Sequence, residues 1–224
     1  MSKVLISPSN EVWLKSNKVL KERPFENVTL PTNKVAEFIG GDFENVDGKV
    51  AIWYDSVGSA DMVQATETNR LAVTNLGGID CVLATTSQHL NWTNPVFRSF
   101  FIVFYHRAIN NCMFEGSGPT TGWNSGVSAL LIATGAFAGV APSKFYVNGQ
   151  PYTLNTVKAN NNWYVVYCEY MSNISSGARV LFNNTTFVVS FRKETAHLVF
   201  YTDILNAQDI EYNSNALMTK YGII

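Results

Sequence analysis

Two runs of consecutive apolar and aromatic residues constrain the fold of this chain most strongly. They are Phe100–Tyr105 and Trp163–Tyr167. Side chains of a β-strand alternate between the two faces of its sheet. A continuous apolar run therefore belongs to a strand with both faces covered, or to one with a covered face and an aromatic-rich face. We expect both runs to be strands of a layered β protein.

From Phe43 onward, short apolar segments alternate with turns rich in Gly, Asn, Ser and Thr, a pattern typical of a sandwich or barrel. One turn is specified closely, because Asn148-Gly149 separates two such segments. An Asn-Gly pair tolerates positive φ at both central positions of a type I′ turn, which predicts a β-hairpin. The predicted strands are Lys49–Tyr54, Gly78–Thr85, Phe97–His106, Ser128–Ile132, Lys144–Val147, Trp163–Met171, Ala178–Phe182, Thr186–Phe191 and Ala196–Tyr201.

The end of the chain changes from strand to helix periodicity. Ile210, Leu217 and Tyr221 are spaced as on one face of a helix. Asn206 can cap the first turn with its side-chain oxygen, and Gly222 is a stop signal. The sequence predicts one short C-terminal helix on a β body.

Composition limits the class of protein. The chain has 224 residues, of which 46% are hydrophobic and 15% charged, enough for one large β domain or a smaller one with an arm. The formal net charge is −1, with no run of Lys and Arg, so nucleic-acid binding is not expected. There is no signal-peptide h-region and no apolar stretch of membrane-spanning length. We expect no membrane insertion, and a protein that stays in a cytoplasm unless it leaves by another route.

The first 35 residues differ from the rest. They concentrate charge and contain Pro8, Pro24 and Pro31. Proline lacks the amide donor that a central strand needs, so short extended pieces and turns are expected here. We predict an N-terminal attachment arm over residues 1–35 and a β-sandwich over residues 36–224.

The three cysteines are Cys81, Cys112 and Cys168. They lack metal-ligand spacing. Cys81 and Cys168 lie within apolar segments, where a thiol behaves as a small hydrophobe. We expect buried free thiols and a reducing compartment.

Several motifs follow one another along the chain. Trp53, Asp55 and Gly58 form a Trp-x-Asp-x-x-Gly stretch within residues 50–71, and Gly77–Val82 comes next. The Asn148-Gly149 hairpin, the Asn162–Tyr167 strand and the closing segment Ala196–Ile224 complete the series. In this order they resemble the concanavalin A-like lectin and laminin-G-like jelly-roll domains found in phage virion appendage proteins. The chain departs from the pattern at Ala84-Thr85-Thr86, where such domains usually have Asp-Gly.

The resemblance implies an all-β fold, an antiparallel β-sandwich of jelly-roll type with a short C-terminal helix. Such domains occur mostly outside cells or on virions, and a phage protein assembled in the host cytoplasm and released by lysis needs no export signal. We therefore expect a virion structural protein, either a head or tail fibre or a decoration or receptor-binding component. It would form a homo-oligomer, attach to other virion proteins through its N-terminal arm and present a surface for a cell-surface glycan in host attachment.

Motifs for catalysis are not evident in the sequence. A glycosidase needs a pair of carboxyl groups, but Glu169 stands alone in its strand, and Asp209 and Glu211 do not share a helix face. There is no Gly-x-Ser-x-Gly elbow. His106 and His197 fall at predicted strand ends and are expected to pack. We assign no catalytic residue and expect that the chain is not an enzyme.

Metal binding has a weak sequence basis. Ca²⁺ takes oxygen ligands from loops, and several acids lie in predicted turns: Asp42, Asp47, Asp55 and Asp61. Asp is also a favoured turn residue in its own right. We assign no cofactor and no metal site.

Two loop tryptophans are the candidate ligand-binding residues. Sugar rings stack on aromatic faces while amides fix the hydroxyl groups. Trp123 lies in a Gly-rich loop beside Asn124, and Trp92 has Asn91 beside it. Both tryptophans could instead fill a packing contact at a sandwich end or between subunits. Alternatives to a virion protein are a stand-alone carbohydrate-binding lectin and, less favoured, a glycoside hydrolase.

Overall fold

A computed structural model describes residues 33–83, 88–107, 140–174 and 194–223, together with the backbone of short strands elsewhere. The chain divides into two compact units, Met1–Leu30 and Pro31–Ile224. In the first unit, β1 (Leu5–Ile6) pairs antiparallel with β2 (Val12–Trp13).

The second unit consists mostly of antiparallel strands. They are β3 (Lys34–Ile39), β4 (Phe43–Val46), β5 (Lys49–Trp53), β6 (Met62–Val63), β7 (Ala72–Leu76), β8 (Ile79–Leu83), β9 (Phe97–His106), β10 (Asn111–Glu115), β11 (Trp123–Ser125), β12 (Pro142–Val147), β13 (Gln150–Tyr152), β14 (Asn162–Ile174), β15 (Arg179–Val180) and β16 (Glu194–Tyr201). A 3-10 turn spans Glu67–Asn69, and the helix α1 spans Ala207–Tyr221.

Eleven strands form one connected sheet. The main path is β13-β12-β14-β9-β16-β8-β7-β5-β4, while β3 also pairs with β16 and β6 with β5. A separate three-stranded sheet has the order β11-β10-β15. This arrangement of antiparallel sheet with one C-terminal helix is consistent with the predicted all-β sandwich.

The two apolar runs are adjacent central strands. Val165 of β14 lies opposite Val103 of β9, and β9 pairs on its other side with β16. One face of these three strands joins an aromatic core that includes Phe100, Phe200 and Trp92. The phenyl ring of Phe200 lies 4.6 Å from the Trp92 ring and 4.9 Å from the Phe97 ring.

The opposite face of the same strands is covered by the C-terminal helix. Phe101, Tyr167 and Val199 pack there with Ile210 and Leu217 of α1. The phenol oxygen of Tyr167 accepts the backbone N–H of Leu205, 2.9 Å away, which fixes the segment that leads into the helix. Both faces of the continuous runs are therefore covered, the first of the two possibilities that the sequence left open.

The edge of β16 is shared by two partners. Glu194 and Thr195 pair with β8, whereas His197 to Tyr201 pair with β3. Gly40 lies where β3 leaves β16 and donates its N–H to the carbonyl of Ala196 over 2.6 Å. A Cβ atom at Gly40 would lie 2.0 Å from the carbonyl oxygen of Asp80, so the junction requires glycine.

Local sequence predictions agree well with this structure. The Asn148-Gly149 turn joins β12 to β13 with φ values of 50° and 77°, as the hairpin prediction requires. Asn206 caps α1 through the N–H of Asp209, and Gly222 ends it with φ 61°. Cys81 and Cys168 are buried free thiols, as predicted. The predicted strands Ser128–Ile132 and Thr186–Phe191 lie outside the described residues.

One placement was wrong. His197 was expected at a strand end, but it lies inside β16, opposite Ile39 on one side and Val103 on the other. The strand begins at Glu194, two residues before its predicted start, since Glu194 and Thr195 pair with β8.

Candidate binding cleft

A cleft of about 340 Å³ opens where the end of β3, the β7–β8 turn and the last turn of α1 meet. Its lining combines glycine backbone, aliphatic side chains and three polar side chains. The lining residues are Ile39, Gly40, Gly77, Gly78, Ile79, Asp80, Lys220 and Tyr221.

The β7–β8 turn forms one rim of this cleft. Gly77 and Gly78 adopt φ values of 66° and 87°, which glycine reaches without a steric penalty. No atom lies within 4 Å of the position that a Cβ would occupy at either residue. The rim is therefore bare backbone that a ligand can approach closely.

Asp80 presents a positioned carboxylate at the same rim. The amide nitrogen of Asn75 donates to Oδ1 of Asp80 over 2.8 Å, and Oδ1 of Asn75 accepts the N–H of Gly78 over 3.0 Å. Both side chains are exposed. One turn thus holds an acceptor and an amide side by side, facing solvent.

The opposite rim is the end of α1. The N–H of Gly222 bonds back to the carbonyls of Met218 and Thr219, and that of Ile223 bonds to Met218 over 2.9 Å, so the last turn is closed. The ammonium nitrogen of Lys220 lies 5.4 Å from the centroid of the Tyr221 ring. Within the described part of the chain, Lys220 forms no ion pair. It is available to a ligand as a cation.

A hydrogen-bonded chain behind Tyr221 anchors this rim to the sheet. Nδ1 of His197 lies 2.9 Å from the phenol oxygen of Tyr221, and its Nε2 lies 3.0 Å from Oε1 of Glu37. Because an ionised carboxylate only accepts hydrogen bonds, the Nε2 atom carries the proton and Nδ1 accepts the phenol O–H. Lys34 donates to the second oxygen of Glu37 over 3.1 Å.

Burial and charge set the pKa values of Glu37, His197 and Tyr221 in this hydrogen-bonded series. Burial of Glu37 alone would raise its pKa, but the hydrogen bond and charge of His197, and then of Lys34, outweigh it and hold the pKa at about 2. Burial lowers the pKa of His197, against the opposing effect of Glu37. Burial, followed by the charge of Glu37, raises the pKa of Tyr221. At neutral pH, Glu37 is therefore a carboxylate, His197 a neutral imidazole and Tyr221 a neutral phenol.

The arrangement offers two kinds of chemistry. The cleft presents an aromatic ring, a carboxylate, a cation and open backbone to a polyhydroxylated ligand. Behind the ring, hydroxyl, imidazole and carboxylate occur in the order used in nucleophilic and acid–base sites. With its pKa raised, Tyr221 remains a protonated donor. The hydrogen bonds from Tyr221 to His197 and from His197 to Glu37 therefore serve first to hold the ring in place.

Of the four residues predicted to bind ligand, the two whose side chains the structure describes, Trp92 and Asn91, lie outside the cleft. The side chain of Trp92 is only 4% exposed, and its indole N–H donates to the carbonyl of Ala60 over 2.6 Å. Asn91 is exposed, and its backbone pairs with that of Val63. Trp123 and Asn124 belong to β11, and their side chains lie outside the described residues. Burial of Trp92 favours the packing alternative, and ligand roles for the four residues stay predictions.

Two of the turn acids, Asp55 and Asp61, accept backbone hydrogen bonds. The carboxylate of Asp55 accepts the backbone N–H groups of Glu37, Val57 and Ala60. Asp61 accepts the N–H of Asp55 over 2.8 Å. In the residues with described side chains, no three His, Cys, Asp or Glu groups converge on a point. No described helix has the length and apolar character to cross a membrane.

Sequence reasoning missed the residues that form the cleft. Lys220 and Tyr221 were used only as helix positions, and Glu37 carried no local motif. The sequence signal that could have been used was the Gly77-Gly78 pair, because two consecutive glycines predict an open turn between two strands.

Comparison with known proteins found matches among solved structures. No protein-family model and no curated protein matches this chain. Among solved structures, Trypanosoma rangeli sialidase in complex with sialic acid is 16% identical with a TM-score of 0.44, over 85% of this chain and 34% of that one. A mutant of the same sialidase displaying trans-sialidase activity is 13% identical with a TM-score of 0.45, over 87% and 34%. The chain spans about a third of the length of the sialidases that it matches.

The expectation that this chain is not an enzyme is corrected by these matches, because the solved structures that it resembles are enzymes. That expectation relied on the absence of paired acids along one strand of the sequence. Folding, however, brings together groups from distant segments, as it does Glu37 and His197. At TM-scores below 0.5, the likeness carries no argument for a particular reaction or ligand of this chain.

Proposed function

We propose that this chain is a carbohydrate-binding module with a concanavalin-like jelly-roll topology, and that the cleft at Tyr221 is its sugar site. The observation that carries the proposal is the convergence of Asp80, Lys220 and Tyr221 around an open glycine turn. A saccharide needs such a mixture, since its ring carbons seek apolar surface and its hydroxyl groups seek both acceptors and donors.

Each wall has a role in binding. The ring of Tyr221 supplies apolar surface to a pyranose. The carboxylate of Asp80, already fixed by Asn75, accepts hydrogen bonds from hydroxyl groups. Lys220 donates to hydroxyl or carboxylate oxygens from the opposite rim. Volumes of 300–1,000 Å³ are typical of small-ligand sites, so a cleft of about 340 Å³ fits one or two sugar rings.

The jelly-roll topology is supported by the ordered sequence motifs and by the central strands. β9, β14 and β16 are buried on both faces, one by the aromatic core and the other by the closing helix. The proposal places the sugar site at the edge where that helix ends.

A glycan array tests the proposal. We expect wild-type chain to bind a defined subset of saccharides. Tyr221→Ala and Asp80→Asn should each weaken that binding by about tenfold, which is about 1.4 kcal/mol. Tyr212→Ala is the matched control, because Tyr212 is an exposed tyrosine of the same helix away from the cleft. An array without binding, or equal binding by all four proteins, would overturn the assignment. Assay of the bound saccharides for released sugar tests glycosidic cleavage separately.

A virion role is a second proposal, favoured by the division of the chain. Met1–Leu30 forms a compact unit of its own, close to the predicted arm of residues 1–35. We propose that this unit attaches the sandwich, as a homo-oligomer, to other virion proteins. Deleting residues 1–30, which leaves the whole of β3 in place, should abolish co-purification with particles while leaving the cleft intact. A deletion variant that is monomeric and still attaches to particles would contradict this role.

A further inference from the structure

We infer that His197 and Glu37 are positioning residues for the cleft: they hold Tyr221 in place as its wall, so that ligand binding weakens when His197 takes up a proton. This inference rests on the proposed function, since it concerns how the same cleft is maintained. It assigns the two residues a role beyond packing, although neither lines the cleft.

Tyr221 packs against the hydrophobic cluster under the helix, and its phenol group makes a small number of polar contacts. Its phenol oxygen lies 2.9 Å from Nδ1 of His197 and 3.3 Å from the carbonyl oxygen of Ala196. The Tyr221 ring meets the imidazole edge-on, with 5.8 Å between the ring centroids. Since Tyr221 is the last residue of α1, these contacts set the position of the helix end. The position of this wall therefore depends on the hydrogen-bonding state of one imidazole as well as on the apolar packing of the helix end.

The other side of that imidazole is fixed by the sheet. Nε2 of His197 donates to Glu37 of β3 over 3.0 Å, and the Glu37 carboxylate also accepts from Lys34. This second bond fixes the tautomer, leaving the Nδ1 lone pair toward Tyr221. Glu37 thus acts on the cleft through His197.

Protonation reverses the polarity of the contact with Tyr221. An imidazolium carries a proton on Nδ1, so this atom donates to the phenol oxygen instead of accepting its O–H. The phenol proton is left with the Ala196 carbonyl, the longer of its two contacts. The imidazolium also adds a positive charge inside a buried site, which is unfavourable unless water enters. Opening of the last helical turn admits that water and moves Tyr221.

Charges around His197 come from three elements. Lys34 and Glu37 belong to β3, and Lys220 and Tyr221 belong to α1. Asp80 of β8 lies across the cleft. On the remaining side, β9 presents Val103 in register with His197. Lys34 and Lys220 therefore oppose a positive charge on His197, and the carboxylate of Glu37 favours it.

Two readouts test the inference. The first is amide hydrogen exchange of residues 217–223 against the rest of α1, corrected for intrinsic rates. We expect protection of this turn to fall by about tenfold between about pH 7.5 and about pH 5.5. The second is affinity for methyl glycosides of glucose, galactose, mannose, N-acetylglucosamine and glucuronic acid over the same range. Affinity for the saccharides that bind should fall in parallel.

Tyr221→Phe is the informative variant, because it keeps the ring and removes the phenol group that contacts Nδ1 of His197. It should bind the same saccharides at neutral pH with much reduced pH dependence. His197→Gln should show no acid-dependent loss of affinity. If it fails to fold, Glu37→Gln is the second variant: its acid-dependent loss should move to lower pH, because Glu37 no longer opposes the lowering of the His197 pKa by burial, and an unmoved loss would overturn the inference. Tyr212→Phe should behave as wild type.

The outcomes separate the two proposals. Saccharide binding with pH-independent exchange and affinity would overturn the inference and leave the proposed function standing. Acid-dependent exchange of the helix end without binding of any saccharide would support the positioning role and overturn the proposed function. Unchanged pH dependence in Tyr221→Phe would overturn the inference even if wild type responds to acid.

Discussion

Nε2 of His197 lies 3.0 Å from Oε1 of Glu37, although 160 positions separate the two residues in the sequence. This contact joins β16 to its neighbour β3, and through Tyr221 it reaches the end of the C-terminal helix. A polar connection of this kind inside an apolar layer is costly unless every group is paired. Here each is paired, and the result is a defined wall for the cleft.

Acid should destabilise the fold in two steps. The pKa of His197 is lowered by burial from its ordinary 6.5, so below that pH the unfolded chain binds a proton that the folded chain does not, and stability falls. Between pH 4.5 and about 2 the unfolded Glu37 is protonated while the folded one stays ionised, and stability falls again. Urea unfolding at a series of pH values measures both steps.

His197→Gln should remove the first step from the pH profile of stability and reduce the second, because His197 is the main cause of the low pKa of Glu37. Glu37→Gln should remove the second step and keep the first. Retention of the first step in His197→Gln would assign it to another group.

Removal of the ring of Phe200 should destabilise the sandwich severely. The side chain is fully buried, and its ring centroid lies 4.6 Å from that of Trp92 and 5.6 Å from that of Phe100. Phe200→Ala should cost about 3–5 kcal/mol of unfolding free energy, because it leaves a cavity in a packed core. Tyr212→Ala, at an exposed helix position, should cost about 0.5 kcal/mol or less. Equal effects in urea unfolding would contradict this placement of Phe200.

The junction at Gly40 should not accept a side chain. A Cβ there would lie 2.0 Å from the carbonyl oxygen of Asp80, so Gly40→Ala must displace backbone at the point where β3 and β8 share the edge of β16. Gly77→Ala provides the comparison, since its Cβ would meet no atom within 4 Å and only its φ of 66° is unfavourable. We expect a cost of about 1 kcal/mol for Gly77→Ala and a larger one for Gly40→Ala in thermal unfolding. The reverse order would contradict the junction.

The two buried thiols should be unreactive in the native protein. Burial raises the pKa of Cys81 to about 12, with further contributions from the charges of Glu194 and Asp80. Burial also raises the pKa of Cys168. Because the thiolate is the reactive form, alkylation by iodoacetamide at neutral pH should leave both unmodified until denaturant is added, as read by peptide mass spectrometry. Rapid native labelling of Cys81 would show that β8 opens.

Predictions from local sequence succeeded where a few neighbouring residues decide the structure. Asn148-Gly149 forms its hairpin because both residues take positive φ at low cost. Asn206 and Gly222 bound the helix because their own backbone and side-chain groups complete its ends. The apolar runs became central strands because no other placement covers both of their faces.

Predictions about the site depended on contacts that local sequence does not contain. Trp92 follows an exposed Asn91 in a segment that resembles a binding loop, yet Ala60 and the aromatic core bury its ring. Glu37 lies two residues beyond the predicted arm, and nothing near it in sequence indicates a histidine partner.

The sequence by itself determined the strands, the Asn-Gly hairpin, the helix and its two ends, since these follow from side-chain periodicity and from backbone preferences of adjacent residues. The tertiary structure decided which face the helix covers, where Gly40 lets two strands share one edge, and that Tyr221, His197 and Glu37 meet beside a cleft. Those features depend on distances between residues far apart in the chain, which are set only when the sheet and helix pack together.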